Sequence, residues 1–392
     1  MKNKKVIFLV FTLSTGGAER VASELSLNLP NYIKTTFVLF KNKISYPYKG
    51  KLICLNLPLS NNFFLKTYFF FSGLFKIKKI VRKEKPDYVI SFGNQSNIHN
   101  ILINKKALVR ADYFYSMTHK GFWGEIYKIL VKFLFNKSTM IISVSKGAES
   151  DLVKNFGIKK EKIKVIHNPL NVEKIQQLMI EPLEGKYQEV FKNPVIINMG
   201  RITKQKSQWH LIRAFKNIKD KIKEAKLVIL GTGELEPYLK QLIKDLNLEN
   251  DVYLLGWQKN PFKFLAKSKA FVLSSLWEGL PYVILEAMAC GLPIISADCK
   301  SGPREILAPD TDINNQTQDI EYGENGILTP AFDGKFYRAE DPLTRSEKKL
   351  SETMIEILTN KELSDSLIEK SKQRVDDFDV KKIIKNWDFL GY

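Results

Sequence analysis

A chain of 392 residues is too long for one ordinary hydrophobic core, so two domains are expected. The composition, 44% hydrophobic and 26% charged, is typical of a globular protein, and no window holds the roughly 20 apolar residues that a membrane-spanning helix needs. The three cysteines, Cys54, Cys290 and Cys299, form neither an even disulfide set nor a metal-ligand spacing, which favours a reducing cytoplasm.

The positive charge is concentrated in the first half of the chain. Residues 1–170 hold 29 lysines and arginines against 9 aspartates and glutamates, whereas residues 171–392 hold 32 against 33. The formal net charge of +19 therefore belongs to the N-terminal half. This asymmetry indicates an anionic partner for that half: a membrane, a nucleic acid or a phosphate-bearing substrate.

The chain begins with a predicted strand, a glycine pair and a predicted helix. Residues 4–11 form the strand, Gly16 and Gly17 form the turn, and residues 21–27 form the helix. Glycine lets the backbone approach a ligand closely, and the first N–H groups of a helix can bind an anion. Two interpretations stay open: an anion-binding loop, or a tight turn without a ligand.

The alternation of strands and helices continues through the first domain. Strands are predicted at residues 36–40, 52–57, 86–92, 113–118 and 140–144, with a polar turn at 93–97 and the last strand of the domain at 140–144. His119 would follow a strand, where a histidine can be structural or can donate to a phosphate or a sugar hydroxyl. Asn168 and Pro169 favour a turn, and we place the domain boundary after Leu170.

Two segments of the first domain, residues 63–83 and 122–137, combine aromatic and basic residues in predicted helices. One interpretation is an interfacial helix, with rings at the acyl boundary of a membrane and ammonium groups on anionic headgroups. The other is a core helix with a solvated lysine face, because aromatic stripes at helical spacing are usually buried.

The second domain opens with a strand that delivers Arg201 and Lys206 to one loop. Arginine can bind a diphosphate in a fork, and lysine adds a point charge, so this loop suits a diphosphate. The next predicted strand ends at Gly231 and Gly233, which begin a dinucleotide fingerprint, but Glu236 stands where its third glycine belongs. The partial match counts against NAD and fits a loop beside a mononucleotide.

The most informative stretch is residues 271–293. A predicted buried strand leads to Glu278, Gly279 and Pro281 mark a turn, and residues 282–290 form an apolar helix that contains Glu286. A buried carboxylate is costly unless it is hydrogen-bonded or binds a ligand. Ligands of parallel sheets bind at this end of the strands.

These blocks, in this order, resemble the retaining glycosyltransferases of family 4, and the resemblance covers nearly the whole chain. It implies an α/β protein of the GT-B type, with two Rossmann-like domains that face a cleft. The expected domains are residues 1–170, which bind the acceptor and face the membrane, and residues 171–376, which bind the donor. Residues 380–390 would cross back onto the first domain, which would thus include about 377–392.

The resemblance also implies roles for individual residues. Arg201 and Lys206 would neutralise the leaving diphosphate, Glu286 would hold the ribose hydroxyls, and His119 would face the donor sugar. Catalytic roles are expected for His119, Arg201, Lys206 and Glu278. The expected donor-binding residues are Gly16, Gly17, Arg201, Lys206, Gly231, Gly233, Glu278, Gly279, Leu280, Pro281 and Glu286. Arg304 is a further possible donor contact.

The implied activity is transfer of a hexose or N-acetylhexosamine from a UDP-sugar to a lipid-linked glycan, with retention, peripherally at the inner face of the cytoplasmic membrane. No metal or other cofactor is expected, because Asp310 and Asp312, which resemble a metal motif of another transferase fold, lie in a polar loop. Two alternatives stay open: an NAD-dependent oxidoreductase, and a basic nucleic-acid-binding protein. The second lacks a recognition motif, so no nucleic-acid partner is expected.

Overall fold

The computed structural model describes residues 3–14, 16–58, 60, 62–104, 106–118 and 121–390, with the side chains of 118 and 121–123 left out. The chain divides into two compact units. Unit 1 consists of Met1–Leu170 and Asp379–Tyr392, and unit 2 of Asn171–Phe378. The first division lies at the residue where we place the domain boundary, and the second lies two residues beyond the expected end at 376.

The described residues of unit 1 form a parallel sheet of seven strands in the order β3-β2-β1-β4-β5-β6-β7. The strands are β1 Lys4–Val10, β2 Ile33–Leu39, β3 Lys51–Cys54, β4 Tyr88–Phe92, β5 Ala107–Ala111, β6 Met140–Ser143 and β7 Ile163–Val165. The central strands are buried on both faces, which explains their continuous apolar runs.

Helices cover this sheet. They are α1 Gly17–Asn28, α2 Phe63–Glu84, α3 Asn94–Ile103, α4 Tyr115–Thr118, α5 Gly121–Phe135 and α6 Lys146–Phe156. Side chains cap several helix starts: Asn62 accepts hydrogen bonds from the backbone N–H groups of Phe64 and Leu65, and Ser145 accepts one from Ala148.

Three expectations for this unit are wrong. Residues 113–118 are not a strand; the strand is β5, and the short helix α4 follows it. The polar residues 93–97 contain the start of α3 instead of only a turn, and β7 follows the strand that we expected to be the last. β5 escapes a search for apolar runs because it contains Arg110, which is fully buried and donates to Asp112 at 2.6 Å.

The two aromatic and basic segments are helices, and each combines buried apolar side chains with exposed ones, so that both interpretations stay open. In α2 only Gly73 and Ile77 are buried, and large apolar side chains of this helix are exposed. They are Phe63, Phe64, Leu65, Tyr68, Phe71 and Phe75. In α5, Val131, Leu134 and Phe135 are buried, whereas Ile129 and Phe133 are mostly exposed.

The described residues of unit 2 form a second sheet of seven strands, in the order β10-β9-β8-β11-β12-β14-β13. The strands are β8 Val195–Met199, β9 Lys226–Leu230, β10 Val252–Gly256, β11 Ala270–Leu273, β12 Ile294–Ala297, β13 Glu321–Gly323 and β14 Gly326–Thr329. All neighbours pair in parallel except β13 and β14.

The helices of unit 2 pack around this sheet. They are α7 Val172–Met179, α8 Gly185–Phe191, α9 Gln208–Lys219, α10 Glu236–Asp245, α11 Phe262–Leu265, α12 Tyr282–Ala289, α13 Pro303–Leu307, α14 Arg345–Thr359 and α15 Lys361–Val375. One core of aliphatic and aromatic side chains lies between the sheet and helices α9, α10, α14 and α15.

The C-terminal segment returns to unit 1, as expected. Asp379 pairs with Leu170 in an isolated parallel bridge, and α16 Val380–Ile383 contacts α1. A 3-10 helix, Ile384–Leu390, follows, and its Asp388 accepts a hydrogen bond of 2.7 Å from the Lys164 ammonium. Short 3-10 helices also occur at Lys160–Lys162 and Asp376–Phe378.

Candidate active site in the second unit

The candidate site lies at the carboxyl edge of the unit 2 sheet, between β8 and β11. From β8 the chain continues outward through β9 and β10, and it then returns to place β11 on the other side of β8. The loops after β8 and β11 therefore diverge at a topological switch point. In open parallel sheets such a point is where ligands bind.

An ion pair joins these two loops. The Lys206 ammonium lies 2.5 Å from Oε1 of Glu278, and the Ser275 hydroxyl donates to the same oxygen at 2.6 Å. The pair is largely buried, with 14% of the Lys206 side chain and 8% of the Glu278 side chain exposed. An ammonium has three N–H donors, so a phosphate oxygen can bind beside the carboxylate.

Backbone and side-chain hydrogen bonds fix the two loops to each other. Ser274 donates to the carbonyl of Lys206 at 2.8 Å, and Ser207 donates to the carbonyl of Ser274 at 2.5 Å. Gln205 donates to the carbonyl of Trp277 at 2.8 Å and accepts a backbone hydrogen bond from Leu276. The loop that carries Lys206 is thus held in place before any ligand binds.

Backbone packing alone explains why positions 231 and 233 are glycine, without any bound ligand. A Cβ on Gly231, which has a φ of +136°, would lie 2.0 Å from the carbonyl oxygen of Gly200. A Cβ on Gly233 would lie 2.1 Å from the carbonyl oxygen of Ile202. The two glycines let the loop after β9 pack directly on the loop that begins with Arg201, whose side chain is exposed.

The turn from Glu278 to Pro281 rests on the loop after β12. The backbone N–H of Glu278 donates to Lys300, and the Ser301 hydroxyl donates to the carbonyl of Gly279 at 3.0 Å. Gly302 has a φ of +97°, and a Cβ there would lie 2.7 Å from Cδ of Pro281. Any larger residue would displace the turn that contains Gly279, Leu280 and Pro281, all of which are buried.

Glu286 lies on α12, about one turn after the helix begins at Tyr282, and only 3% of it is exposed. Burial, and then the charge of Glu286 one turn away, raise the pKa of the Cys290 thiol. Burial, and then the charge of Glu278, likewise raise the pKa of the Cys299 thiol. The loop and the helix that follow β11 therefore each carry a buried carboxylate, Glu278 on the loop and Glu286 on the helix.

The family models match the chain in two consecutive blocks. The model described as Glycosyltransferase Family 4 matches residues 15–174, and the model described as Glycosyl transferases group 1 matches residues 180–318. The uncharacterized glycosyltransferase MJ1059 of Methanocaldococcus jannaschii is 40% identical over 87% of this chain and 88% of its own length. The chain belongs to glycosyltransferase family 4.

A second relative of this glycosyltransferase comes from Campylobacter jejuni and is 31% identical over 86% of the chain and 92% of its own length. It is the N-acetylgalactosamine-N,N'-diacetylbacillosaminyl-diphospho-undecaprenol 4-alpha-N-acetylgalactosaminyltransferase. The crystal structure of Anabaena HepE in complex with UDP and glucose superposes with a TM-score of 0.75 over 98% of both chains, at 17% identity. The predicted family and the predicted GT-B fold are confirmed.

Two of the predicted donor-binding residues of this glycosyltransferase belong to unit 1. Gly16 and Gly17 lie in unit 1 at the start of α1, and a Cβ on Gly16 would lie 2.3 Å from Oε2 of Glu19. A carboxylate therefore already lies at the helix start where we expected a bound anion. His119 lies outside the described residues.

Arg304 is not available as a donor contact, and that expectation is wrong. Its guanidinium is 5% exposed, lies 2.5 Å from the carboxylate of Asp298 and 2.7 Å from that of Glu321, and donates to Thr311. This bonding ties the loop after β12 to β13. Because Arg304 donates to it, the pKa of the Glu321 carboxyl is lowered.

Asp310 and Asp312 are exposed, as expected for a polar loop. Within the described ranges, no group of three or more histidine, cysteine, aspartate or glutamate side chains is arranged to hold a metal ion. None of the described helices has both the length and the apolar character that crossing a membrane requires.

Sequence reasoning missed the residues that support the site. Ser275, Ser301 and Gly302 hold Glu278 and its turn, but none of them stands out by composition. One signal was available for Ser275. Ser274 and Ser275 follow an apolar buried strand directly, and polar residues at that position line the carboxyl edge of a parallel sheet.

Proposed function

We propose that this glycosyltransferase moves a hexose or N-acetylhexosamine from a UDP-sugar to a lipid-linked glycan, with retention of configuration. The observation that carries the proposal is the buried pair of Lys206 and Glu278 at the switch point of the sheet. Solved structures of the same fold contain UDP, UDP-glucose, or UDP and glucose, which supports a uridine donor.

The diphosphate of the donor would bind at the loop after β8. Arg201 is exposed at the start of this loop, and Lys206 is fixed at its end by Glu278. As the glycosidic bond breaks, negative charge grows on the departing diphosphate, and prepositioned cations stabilise that charge without reorganisation. This part of the proposal needs no metal ion.

The sugar and the ribose would bind at the loop after β11 and at α12. Glu278 accepts hydrogen bonds from Lys206 and Ser275 at Oε1, and its Oε2 can accept one from a sugar hydroxyl. The turn of Gly279, Leu280 and Pro281 would lie against the ring. Glu286 would accept hydrogen bonds from the two vicinal ribose hydroxyls.

Retention without a covalent intermediate fits the position of Glu278. A nucleophilic carboxylate must be able to attack the anomeric carbon, but Oε1 of Glu278 is held between an ammonium and a hydroxyl, and we assign its Oε2 to a sugar hydroxyl. We therefore propose departure and attack on the same face of the sugar. The acceptor hydroxyl would lose its proton to the leaving phosphate.

The acceptor side of the proposal rests on unit 1. This unit carries most of the positive charge, and α2 exposes six large apolar side chains. Two relatives act on undecaprenol-diphosphate glycans according to their names. We propose peripheral binding of unit 1 to the inner face of the cytoplasmic membrane, where aromatic rings and lysines suit the interface.

The first test is a thermal-shift series with UDP, GDP, ADP and NAD. A ligand at about 100 times its Kd adds about 2.7 kcal/mol to the stability. We expect a shift selective for UDP that Glu286→Ala abolishes, while Glu369→Ala, at an exposed glutamate on α15, leaves it unchanged. A shift with NAD alone would overturn the proposal in favour of an oxidoreductase.

A further inference from the structure

Unit 1 contains a cavity under the first turns of α2. Its volume is about 460 Å³, which is within the range of small-molecule sites. Its walls come from α2, from the segments after β1, β2 and β3, and from the start of α3. The lining residues are Phe11, Phe40, Leu57, Pro58, Ser60, Phe63, Lys66, Thr67, Phe69, Phe70 and Gln95.

Among the described residues, the lining is mostly hydrocarbon and includes one cation. Five phenylalanines, Leu57 and Pro58 form the apolar wall, and Lys66 is the basic residue among them. No acidic side chain of the described residues forms an ion pair with Lys66, although lysines elsewhere in unit 1 have such partners, as Lys51 has Glu84. The cavity therefore suits a ligand with an apolar body and an anionic end.

The cavity is continuous with a surface that can reach lipid. Phe63 lines the cavity and is 74% exposed, and Phe64, Tyr68 and Phe71 on the same helix are also exposed. Because Phe63 belongs to both, a hydrocarbon chain that lies on these exposed rings can extend into the cavity. The apolar wall would leave most hydroxyl groups of a glycan without hydrogen-bonding partners, so the sugar part of a substrate does not fit this lining.

We propose that this cavity binds the isoprenoid units next to the phosphate of a polyprenyl-linked acceptor, with Lys66 on that phosphate. The proposal rests on the proposed function, because it takes the acceptor to be lipid-linked, and it adds where the lipid would be held. The apolar wall would select the chain, and the lysine would select its charged end. Binding would thus be weaker for either part alone.

The test measures binding of farnesyl diphosphate to the full chain by calorimetry, in buffer without membranes or detergent. We expect Thr67→Trp, which fills the cavity from an exposed helix position, to weaken binding at least tenfold. Phe63→Ala should weaken it about fivefold. Phe75→Ala is the matched control, because Phe75 is on the same helix and is also 74% exposed but does not line the cavity.

Two comparison ligands separate the parts of the proposal. Inorganic diphosphate should bind at least tenfold more weakly than farnesyl diphosphate, and Lys66→Met should remove most of the salt dependence of farnesyl diphosphate binding. Equal binding of inorganic diphosphate would overturn the role of the apolar wall. Equal binding of dodecyl phosphate would overturn the isoprenoid assignment in favour of any lipid phosphate.

We also measure the UDP-induced thermal shift on the same samples, so that a failure of the cavity proposal can be distinguished from a failure of the proposed function. A UDP shift without farnesyl diphosphate binding would overturn the cavity and leave the proposed donor in place. Equal weakening by Phe63→Ala and Phe75→Ala would show general adsorption to α2 and would also overturn the cavity. Farnesyl diphosphate binding without a UDP shift would support the cavity and contradict the proposed donor.

Discussion

The loops after β8 and β11 and the helix α2 use charged residues in different ways. In the loops, Lys206 is largely buried and is paired with Glu278, and side chains of the same loops fix both residues. On α2 the lysines accompany aromatic rings that the described part of unit 1 leaves largely exposed. The first arrangement suits the proposed small donor, which needs one fixed geometry, whereas the second offers the area and charge that the proposed membrane contact needs.

The two arrangements also differ in how much a substitution changes the stability of the fold. Removing one member of a buried ion pair leaves a charge that water cannot solvate, which is strongly destabilising. Removing an exposed ring changes stability little, because that ring is already in contact with water. Substitutions in the two regions should therefore affect different properties, and the following four predictions test this from the largest effect to the smallest.

We expect Lys206→Met to lower turnover about 100-fold or more, because the departing diphosphate loses a positioned cation. It should also lower the free energy of unfolding by about 1–3 kcal/mol, because the buried Glu278 loses its partner. The double variant Lys206→Met with Glu278→Gln should regain most of the stability while remaining inactive. The measurements are transfer from a UDP-sugar and urea unfolding. Near-normal turnover of the single variant would rule out the role of this ammonium.

Gly233→Ala should destabilise unit 2 by about 1–3 kcal/mol and weaken UDP binding, because the new Cβ would lie on the carbonyl of Ile202. Gly185→Ala is the matched control, since a Cβ there meets no atom within 4 Å and Gly185 begins a helix. That control should be neutral or slightly stabilising. Thermal unfolding with and without UDP measures both effects, and equal results for the two variants would contradict the packing argument.

The pair of substitutions Phe64→Glu and Phe75→Glu on α2 should abolish sedimentation with anionic phosphatidylglycerol vesicles at low salt. The reason is that each carboxylate replaces an exposed ring and is repelled by the headgroups. The wild type should bind at low salt and be released at high salt. Ile180→Glu, at an exposed position of unit 2, is the control and should bind like the wild type. Unchanged binding of the α2 variant would exclude this helix as the membrane surface.

The smallest expected effect is on the acid side of the stability profile. Because hydrogen bonds from Arg304 lower the pKa of Glu321 in the folded state, this carboxylate stabilises the fold above about pH 4.5, and its contribution is lost as the pH falls through the folded value. Glu321→Gln should therefore flatten the decline of Tm in acid. The exposed neighbour Glu324 supplies the control, Glu324→Gln, which should keep the wild-type slope.

Much of unit 2 could be predicted from local patterns. A buried strand, β11, precedes Glu278 as predicted, and α12 differs from its predicted bounds by one residue, because these elements are short apolar runs beside glycine and proline signals. The positions of Lys206 and Glu278 followed from the rule that polar residues collect at the carboxyl ends of strands. That the two side chains form a pair could not be predicted, because they are 72 residues apart and only the strand order brings them together.

The failures have physical causes as well. β5 contains the buried Arg110, and a charged residue argues against a buried strand. Only its partners, Asp112 and Asn168, explain its burial, and they cannot be identified from the sequence. Arg304 is similar, since its three partners, Asp298, Thr311 and Glu321, lie at other places in the chain and their contacts with it are not visible in the sequence. The exposure of α2 could not be predicted, because composition alone does not distinguish a helix that faces the sheet from one that leaves its rings in solvent.

Because residues 379–390 belong to unit 1, this unit consists of two chain segments and unit 2 of one. Unit 2 is one continuous stretch inserted between Leu170 and Asp379, whereas unit 1 is assembled from both ends of the described chain. Phe389 contacts Tyr88, with ring centroids 6.4 Å apart, and Trp387 is fully buried. A premature stop codon near residue 378 would therefore leave unit 2 intact and damage unit 1. During translation, unit 1 cannot gain residues 379–390 until all of unit 2 has been synthesised.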